Sequence, residues 1–227
     1  MVRFAFALVI PALALAGCGG IVPGEKVPAR PQAQAAPRAI AMTPETRVCL
    51  GGLGARQAAF TALEDRYYGA GCSTLGTVNL SAVQGDGARF QMAGLGPVAC
   101  PLADTIAAWA RYGVDRAARD VLGSPLARIE TMGSYNCRDV AGTSRRSAHA
   151  TAQAVDIGAF VLADGRRVSV IGGWNGLSEP ERRFLRVVHA SACKRFGTIL
   201  GPDYNAAHRD HFHLEAPRSD GRAPFCR

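Results

Sequence analysis

The sequence predicts one α+β domain in which helices flank a small antiparallel sheet. The chain has 227 residues, of which 48% are hydrophobic and 19% are charged. This composition can bury a core and is too apolar for a disordered protein. Strand-like runs alternate with amphipathic helical runs, an order typical of α+β domains. The cysteines are scattered rather than clustered, which favours disulfides that stabilise the domain.

The first eighteen residues are predicted to be a signal peptide, residues 1–18. Arg3 supplies positive charge, residues 4–15 are apolar, and Leu15-Ala16-Gly17-Cys18 ends the segment. Leu-Ala-Gly-Cys resembles the lipobox of bacterial lipoproteins, in which the cysteine is lipidated and becomes the mature N-terminus. An ordinary secretory signal is the alternative. We therefore expect Cys18 to anchor the protein on the periplasmic face of the cell envelope. The outer membrane is favoured, because Gly19 is not the aspartate that retains lipoproteins in the inner membrane.

Residues 19–46 are predicted to be an extended tether. Five prolines fall among Ala, Gln and Arg, and the apolar residues show no period of 2 or 3.6. Such a segment cannot bury enough surface to offset its ordering entropy. The globular domain is then residues 47–227.

Within the domain, residues 55–67 favour a helix and residues 75–83 a strand. Residues 101–121 favour one or two helices, because apolar side chains recur there near helical spacing. Residues 126–132 favour a strand. Two further strands, residues 155–162 and 167–171, flank an Asp-Gly dipeptide of the kind favoured in tight hairpins.

The last part of the domain is predicted to contain one helix and two strands. Ser178 and Glu181 have the spacing of a capping box, which predicts a helix that runs to residue 196. Short strands at residues 198–200 and 211–215 complete the sheet.

Six cysteines remain when the lipidation candidate is set aside: Cys49, Cys72, Cys100, Cys137, Cys193 and Cys226. No two of them have CxxC spacing, so a cysteine zinc site is not indicated. An even number in an oxidising periplasm predicts three disulfides. The sequence leaves their connectivity open; nearest-neighbour pairing would join 49 with 72, 100 with 137, and 193 with 226.

All five histidines lie between residues 149 and 213. His211 and His213 are two residues apart, so on a strand both would face the same side. His149 and Asp156 lie seven apart and offer the nitrogen and oxygen ligands that zinc commonly takes. Neither half is decisive alone, because a lone HxH is often a polar surface strand and an aspartate before a hairpin is often a turn cap.

Together these residues resemble a known family pattern. Ser147, His149, Asp156 and the run Asp210-His211-Phe212-His213 resemble the zinc peptidases of the D-alanyl-D-alanine carboxypeptidase and hedgehog type, with SxHxxGxAxD followed by ExxH or HxH. Ala152 stands where those proteins usually have glycine. The segment from about residue 49 to 227 resembles the extensin-like C-terminal domain of bacterial proteins more closely still. Three stretches carry that resemblance: residues 133–138, 148–157 and 201–213.

The resemblance implies the fold of those zinc-binding peptidases and a role for each matching residue. It makes His149, Asp156 and His213 ligands of a catalytic Zn²⁺, with water in the fourth position. Asp210 is the candidate general base, and His211 is its rival. Further roles are implied for four residues near the motifs: Arg138 as the group that holds the oxyanion, and Ser147, Tyr135 and His208 as supporting or substrate-binding residues.

The expected function is that of a zinc-dependent peptidase acting on peptidoglycan stem peptides or cross-links. The alternative is a metal-containing domain that binds the cell wall without turnover. The formal charge of +8 suits an anionic neighbour such as wall polymer or lipid headgroups. Nucleic acid is not an expected partner, because the positive charge is scattered and no aromatic-basic ladder occurs. The expected partners are peptidoglycan and, through the lipid anchor, a membrane.

Overall fold

A computed structural model describes residues 42–227. The predicted signal peptide, Cys18 and most of the tether lie outside the described residues. Within the described part, no helix combines the length and apolar character needed to cross a membrane. Helix α1 starts at Pro44, three residues before the predicted start of the domain at residue 47. The side chain of Thr43 caps this helix by accepting a hydrogen bond from the backbone N–H of Thr46.

The described region contains helices and strands in mixed order. The helices are α1 (Pro44–Ala55), α2 (Cys100–Trp109), α3 (Arg116–Leu122), α4 (Val170–Gly173) and α5 (Glu179–Ala192). The strands are β1 (Ala59–Ala62), β2 (Arg66–Gly69), β3 (Cys72–Thr74), β4 (Thr77–Gln84), β5 (Arg89–Ala93), β6 (Pro97–Ala99), β7 (Leu126–Gly133), β8 (Ala154–Leu162), β9 (Arg167–Ser169), β10 (Thr198–Leu200), β11 (Phe212–Glu215) and β12 (Phe225–Cys226). A π-helical stretch, Ala110–Asp115, joins α2 to α3, and short 3-10 turns lie at Ala148–Thr151 and Ala206–His208.

The sheet is larger than predicted and is not purely antiparallel. Ten strands pair in one sheet with the main order β1-β4-β5-β7-β8-β11-β10-β12, while β6 pairs with β4 and β9 pairs with β8. Two pairs are parallel, β5 with β7 and β10 with β12. Strands β2 and β3 form a separate two-stranded sheet. The mixed helix and strand content is confirmed. The prediction of a small antiparallel sheet was wrong, because short strands such as β5 and β12, which form the parallel pairs, were not recognised in the sequence.

Aromatic side chains form the core where α2 and α5 pack against the sheet. Trp109 of α2 meets Phe160 of β8 edge to face at 6.3 Å, and Phe160 meets Phe184 of α5 at 5.3 Å. All three side chains are almost completely buried. The Trp109 indole N–H donates to the carbonyl of Val188 at 3.2 Å, so its polar atom is satisfied.

A bulge in β8 directs one of the predicted ligands away from this core. Between the pairs Glu130–Ala159 and Thr131–Ile157, β8 advances by two residues while β7 advances by one. Gly158 is therefore the extra residue, and it reverses the alternation of the side chains on either side of it. As a result, Phe160 points to the helices while Asp156, four residues earlier, points to the opposite face.

Three local predictions were wrong. Residues 55–67 do not form a helix: α1 ends at Ala55, and the following residues enter β1, where pairing with β4 outweighs local helix propensity. The predicted strand 167–171 ends at Ser169, whose side chain caps the short helix α4. Helix α5 ends at Ala192 rather than at residue 196, and its N-cap Ser178 makes no side-chain capping bond.

The six domain cysteines form three disulfides, as predicted, but mostly with other partners. Cys49 pairs with Cys100, Cys72 with Cys137, and Cys193 with Cys226. Only the last pair joins nearest neighbours, so the nearest-neighbour pairing was wrong for the first two. Helix α1 packs against α2, which brings 49 to 100. Strand β3 packs against the 3-10 turn Ala148–Thr151, and the N–H of Asn136 donates to the carbonyl of His149 in that turn, which brings 72 to 137.

Candidate metal centre

Adjacent antiparallel strands place Asp156 and His213 opposite each other. Strand β11 pairs with β8 in the register His213–Asp156 and Phe212–Ile157. Directly opposed residues on neighbouring strands point to the same face. The neighbouring Phe212 points to the helices, where it packs edge to face against Trp174 at 5.5 Å.

His149 reaches the same point from a tight 3-10 turn. Ser147 is the N-cap of this turn, and its hydroxyl accepts a hydrogen bond from the backbone N–H of His149 at 3.3 Å. The turn ends at Ala152, which has a φ of 55°. This left-handed conformation favours glycine, so Ala152 occupies a position where an L side chain is unusual.

The facing atoms of the three side chains form a small triangle. His149 Nε2 lies 3.2 Å from His213 Nδ1 and 3.2 Å from Asp156 Oδ2, while His213 Nδ1 lies 2.9 Å from Asp156 Oδ1. Ligand atoms at about 2.0–2.1 Å from a tetrahedral zinc ion lie roughly 3.3 Å from one another. The spacing therefore matches the three protein ligands of such a site.

The outer nitrogen of each histidine is already engaged as a donor. His149 Nδ1 donates to the carbonyl of Ser134 at 2.6 Å. His213 Nε2 donates to Glu215 Oε1 at 3.2 Å. With neutral rings, the inner nitrogens are then lone-pair acceptors that face each other and a carboxylate. Such a group needs a cation in its centre, and a proton or a metal ion would meet that need.

The pKa values of His213 and Asp156 also indicate that this group favours a positive charge beside the carboxylate. Burial disfavours the charged form of His213, but its hydrogen bonds to Asp156 and Glu215 outweigh burial and raise its pKa to about 9. Burial also opposes ionisation of Asp156, yet hydrogen bonds from His149 and His213 lower its pKa well below the ordinary range. The site is therefore organised to hold a carboxylate next to positive charge.

His211 lies on the same side, next to the triangle. Its Nε2 is 3.5 Å from Asp156 Oδ1, and its Nδ1 donates to Asp210 Oδ1 at 2.8 Å. Asp210 thus orients the imidazole of His211 and points its Nε2 towards the centre. The hydrogen bond from His211 also lowers the pKa of Asp210.

The other predicted site residues surround this group. The His208 ring lies 5.7 Å from that of His213, and its Nδ1 donates to Asn205 Oδ1 at 2.7 Å. Burial, followed by the nearby charges of His211 and His213, lowers the pKa of His208 to about 4, and Arg138 contributes in the same direction. Arg138 is exposed on this side. Tyr135 is half-buried and follows Ser134 directly.

Glu215 and the carbonyl of Ser134 accept hydrogen bonds from the outer nitrogens of the two candidate ligand histidines. The strand predicted at residues 211–215 places Glu215, by alternation, on the face of His213. The Ser134 carbonyl is a backbone group, so no side-chain pattern reveals its role. The HxH spacing, extended by two residues, was the signal that pointed to Glu215.

One further cluster of ligand-type residues occurs in the described region. His189, Cys193 and Cys226 lie close together, but the two cysteines form a disulfide. Their sulfur atoms are therefore not available as thiolate ligands. His189 packs between Trp174 and Phe212, with ring centroids 5.4 Å from each.

Comparison with known proteins identified one relationship. The family model described as "Extensin-like protein C-terminus" matches residues 47–227. No curated protein and no solved structure matches the chain.

Proposed function

We propose that this chain, which belongs to the family of extensin-like protein C-termini, is a zinc-dependent peptidase that acts on peptidoglycan stem peptides or their cross-links. The observation that carries the proposal is the triangle of His149, Asp156 and His213, whose inner nitrogen and oxygen atoms lie at zinc-like spacing and offer lone pairs once both rings are neutral. Three protein ligands and one open position are typical of catalytic rather than structural zinc. The fold of hedgehog and D-alanyl-D-alanine carboxypeptidase proteins is part of the same proposal.

Each ligand is prepared for the metal by a second group. The Ser134 carbonyl fixes the His149 tautomer, and Glu215 fixes that of His213. Such partners raise ligand basicity and set ring orientation. Bound zinc would lower the pKa of a water molecule and polarise a peptide carbonyl.

Among the two candidate bases, the geometry favours His211. Its Nε2 points to the centre of the site, while Asp210 bonds to its Nδ1 from behind. In this arrangement His211 accepts a proton from the attacking water and delivers it to the leaving amine, and Asp210 stabilises the charged ring. Arg138 and His208 flank the same side, where Arg138 would hold the carbonyl oxygen of the scissile bond.

The cellular setting belongs to the proposal. The signal-like segment and Cys18 would place the domain in the bacterial cell envelope, lipid-anchored at the outer membrane. Three disulfides suit an oxidising compartment. Peptidoglycan is the peptide-bearing polymer that a domain in this compartment meets.

The test is hydrolysis of purified muropeptides by the zinc-loaded full-length chain, followed by chromatography and mass spectrometry of the products. We expect release of a terminal D-amino acid or opening of a cross-link. His211→Ala should lower the rate by roughly 10²- to 10⁴-fold while zinc content stays unchanged. Asp220→Ala is the matched control, because that carboxylate pairs with Arg218 on the exposed surface.

Two results would contradict the proposal. The first is a zinc-loaded protein that cleaves no muropeptide, which would favour the metal-containing, wall-binding alternative. The second is a His211→Ala variant with full activity, which would exclude the assigned base. A third comparison asks whether Asp210 acts through His211. Asp210→Ala should lower the rate in the wild type, whereas adding Asp210→Ala to the His211→Ala variant should change the rate little.

A further inference from the structure

A depression of about 380 Å³ lies where residues of β1, β2, β3 and β6 come together. Its lining combines an aromatic ring with charged and hydroxyl side chains: Ala62, Leu63, Glu64, Arg66, Tyr68, Thr74 and Pro97. This volume lies in the usual range of small-molecule sites, roughly 300–1,000 Å³. The side chains of Glu64 and Arg66 are 79% and 63% exposed and only 3.6 Å apart, so their polar atoms are accessible to a ligand.

Two tyrosines connect this depression to the segment that holds a candidate metal ligand. The Tyr68 ring, which is half exposed, lies 5.4 Å from the Tyr135 ring with an angle of 35° between their planes. Tyr135 directly follows Ser134, whose carbonyl binds His149, and the N–H of Asn136 donates to the His149 carbonyl. The two rings therefore link the depression to the backbone that holds a metal ligand.

The arrangement is held in place covalently. The disulfide between Cys72 and Cys137 joins β3 to the segment that carries Tyr135. Strand β3 also packs against the turn that carries His149. Thr74 of the same strand lies 3.5 Å from the hydroxyl of Tyr68. The tyrosines thus have a fixed position relative to the candidate catalytic centre.

This combination of groups suits a sugar ring. The C–H groups of a pyranose pack against an aromatic face, while its hydroxyl and acetamido groups need hydrogen-bond donors and acceptors around the edge. Tyr68 offers the face, and the exposed side chains of Glu64 and Arg66 offer the polar edge. Exposed aromatic surface that is bordered by polar groups is a mark of a ligand-binding groove.

We infer that the depression lined by Tyr68, together with the Tyr135 ring, binds the glycan strand of peptidoglycan, a β-1,4-linked chain of N-acetylhexosamines. The inference rests on the proposed peptidase function, because it treats the glycan as the polymer that carries the peptide to the metal centre. Binding of the strand at Tyr68 and Tyr135 positions its attached peptide near His149 and His213. The enzyme then prefers glycan-attached peptides to free ones.

The test is calorimetric titration of the purified full-length chain with an oligomer of β-1,4-linked N-acetylglucosamine. We expect saturable binding that Tyr68→Ala weakens at least tenfold. Tyr68→Phe keeps the aromatic face and should bind within about twofold of the wild type, which controls for folding. Tyr67→Ala is the matched control, because Tyr67 is 70% exposed on the same strand but lies outside the lining of the depression.

A second readout connects binding to catalysis. Tyr68→Ala should lower kcat/KM on glycan-attached muropeptides about tenfold, mainly through KM, and leave the hydrolysis of free stem peptide unchanged. No sugar binding by the wild type, or equal losses in Tyr67→Ala and Tyr68→Ala, would overturn the inference. Loss of free-peptide hydrolysis in Tyr68→Ala would also overturn it, because the depression would then hold peptide. The titration needs no hydrolysis, so its outcome is independent of whether the proposed function itself fails.

Discussion

The carboxylate of Glu215 offers a direct way to weaken the candidate zinc site without removing a ligand. Glu215 Oε1 accepts a hydrogen bond from His213 Nε2 at 3.2 Å, which keeps the proton on Nε2 and leaves Nδ1 free to face the metal. Loss of such a partner typically lowers metal affinity by about 10- to 100-fold. Glu215→Gln keeps an acceptor but removes the charge, and Glu215→Leu removes both.

The magnitude follows from the exposure of the group. The Glu215 side chain is 33% exposed, so solvent screens part of its charge and the charge-only change should lie at the lower end. We expect Glu215→Gln to weaken zinc binding about tenfold, or about 1.4 kcal/mol, and Glu215→Leu about 100-fold, or about 2.7 kcal/mol.

Zinc affinity is measured by competition with a chromophoric chelator at fixed pH. Glu130→Gln is the matched control, because Glu130 pairs with Arg128 of its own strand β7 and with Arg167 of β9 and is not one of the candidate ligands or their partners. Wild-type affinity in Glu215→Leu would refute the reasoning, since it would mean that His213 does not depend on this partner for its tautomer.

Three further predictions concern the same region. Burial opposes protonation of His213, but hydrogen bonds to Asp156 and Glu215 outweigh burial and raise the pKa of His213 to about 9. Because the bound proton must leave before zinc binds, zinc affinity should rise about tenfold per pH unit up to about pH 9 and then level off. Competition titrations from about pH 7 to 10 will show this. The disulfide of Cys72 and Cys137 spans 65 residues, so the double variant Cys72→Ser/Cys137→Ser should lose about 2–4 kcal/mol of unfolding free energy in urea denaturation, and an unchanged midpoint would contradict this. Ala152→Val should destabilise the domain by at least about 1–2 kcal/mol, because a β-branched residue fits poorly at a positive φ, whereas Ala152→Gly should stay within about 1 kcal/mol of the wild type in the same measurement.

The sequence predicted correctly those helices and strands whose defining residues lie close together in the chain. The strand at residues 155–162 and the helix that begins after Ser178 were predicted because alternation, turn residues and capping residues lie close together in the chain. Residues 55–67 have good helix propensity, yet they form β1 and β2 because those strands find partners in β4 and β3. Pairing between distant segments is invisible to a local window, and the same limit explains the wrong disulfide partners of Cys49 and Cys72.

In the candidate site, too, the residue types could be predicted from the sequence but their spatial arrangement could not. The resemblance of the motifs to zinc peptidases singled out His149, Asp156 and His213, and the structure brings these residues within hydrogen-bond distance of one another. Their arrangement depends on features that the spacing does not carry. One is the bulge at Gly158, which turns Asp156 away from the core. The other is the carbonyl of Ser134, a backbone acceptor that any residue type would offer.

The most direct test of the central claim is the metal content of the purified full-length chain, measured by elemental mass spectrometry. The account predicts about one zinc per chain in the wild type, and its loss in His213→Ala. His189→Ala is the control, because His189 packs against Trp174 and Phe212 on the helical side, and it should retain the metal. Absence of zinc from the wild type after reconstitution, or equal zinc in His213→Ala, would contradict the account.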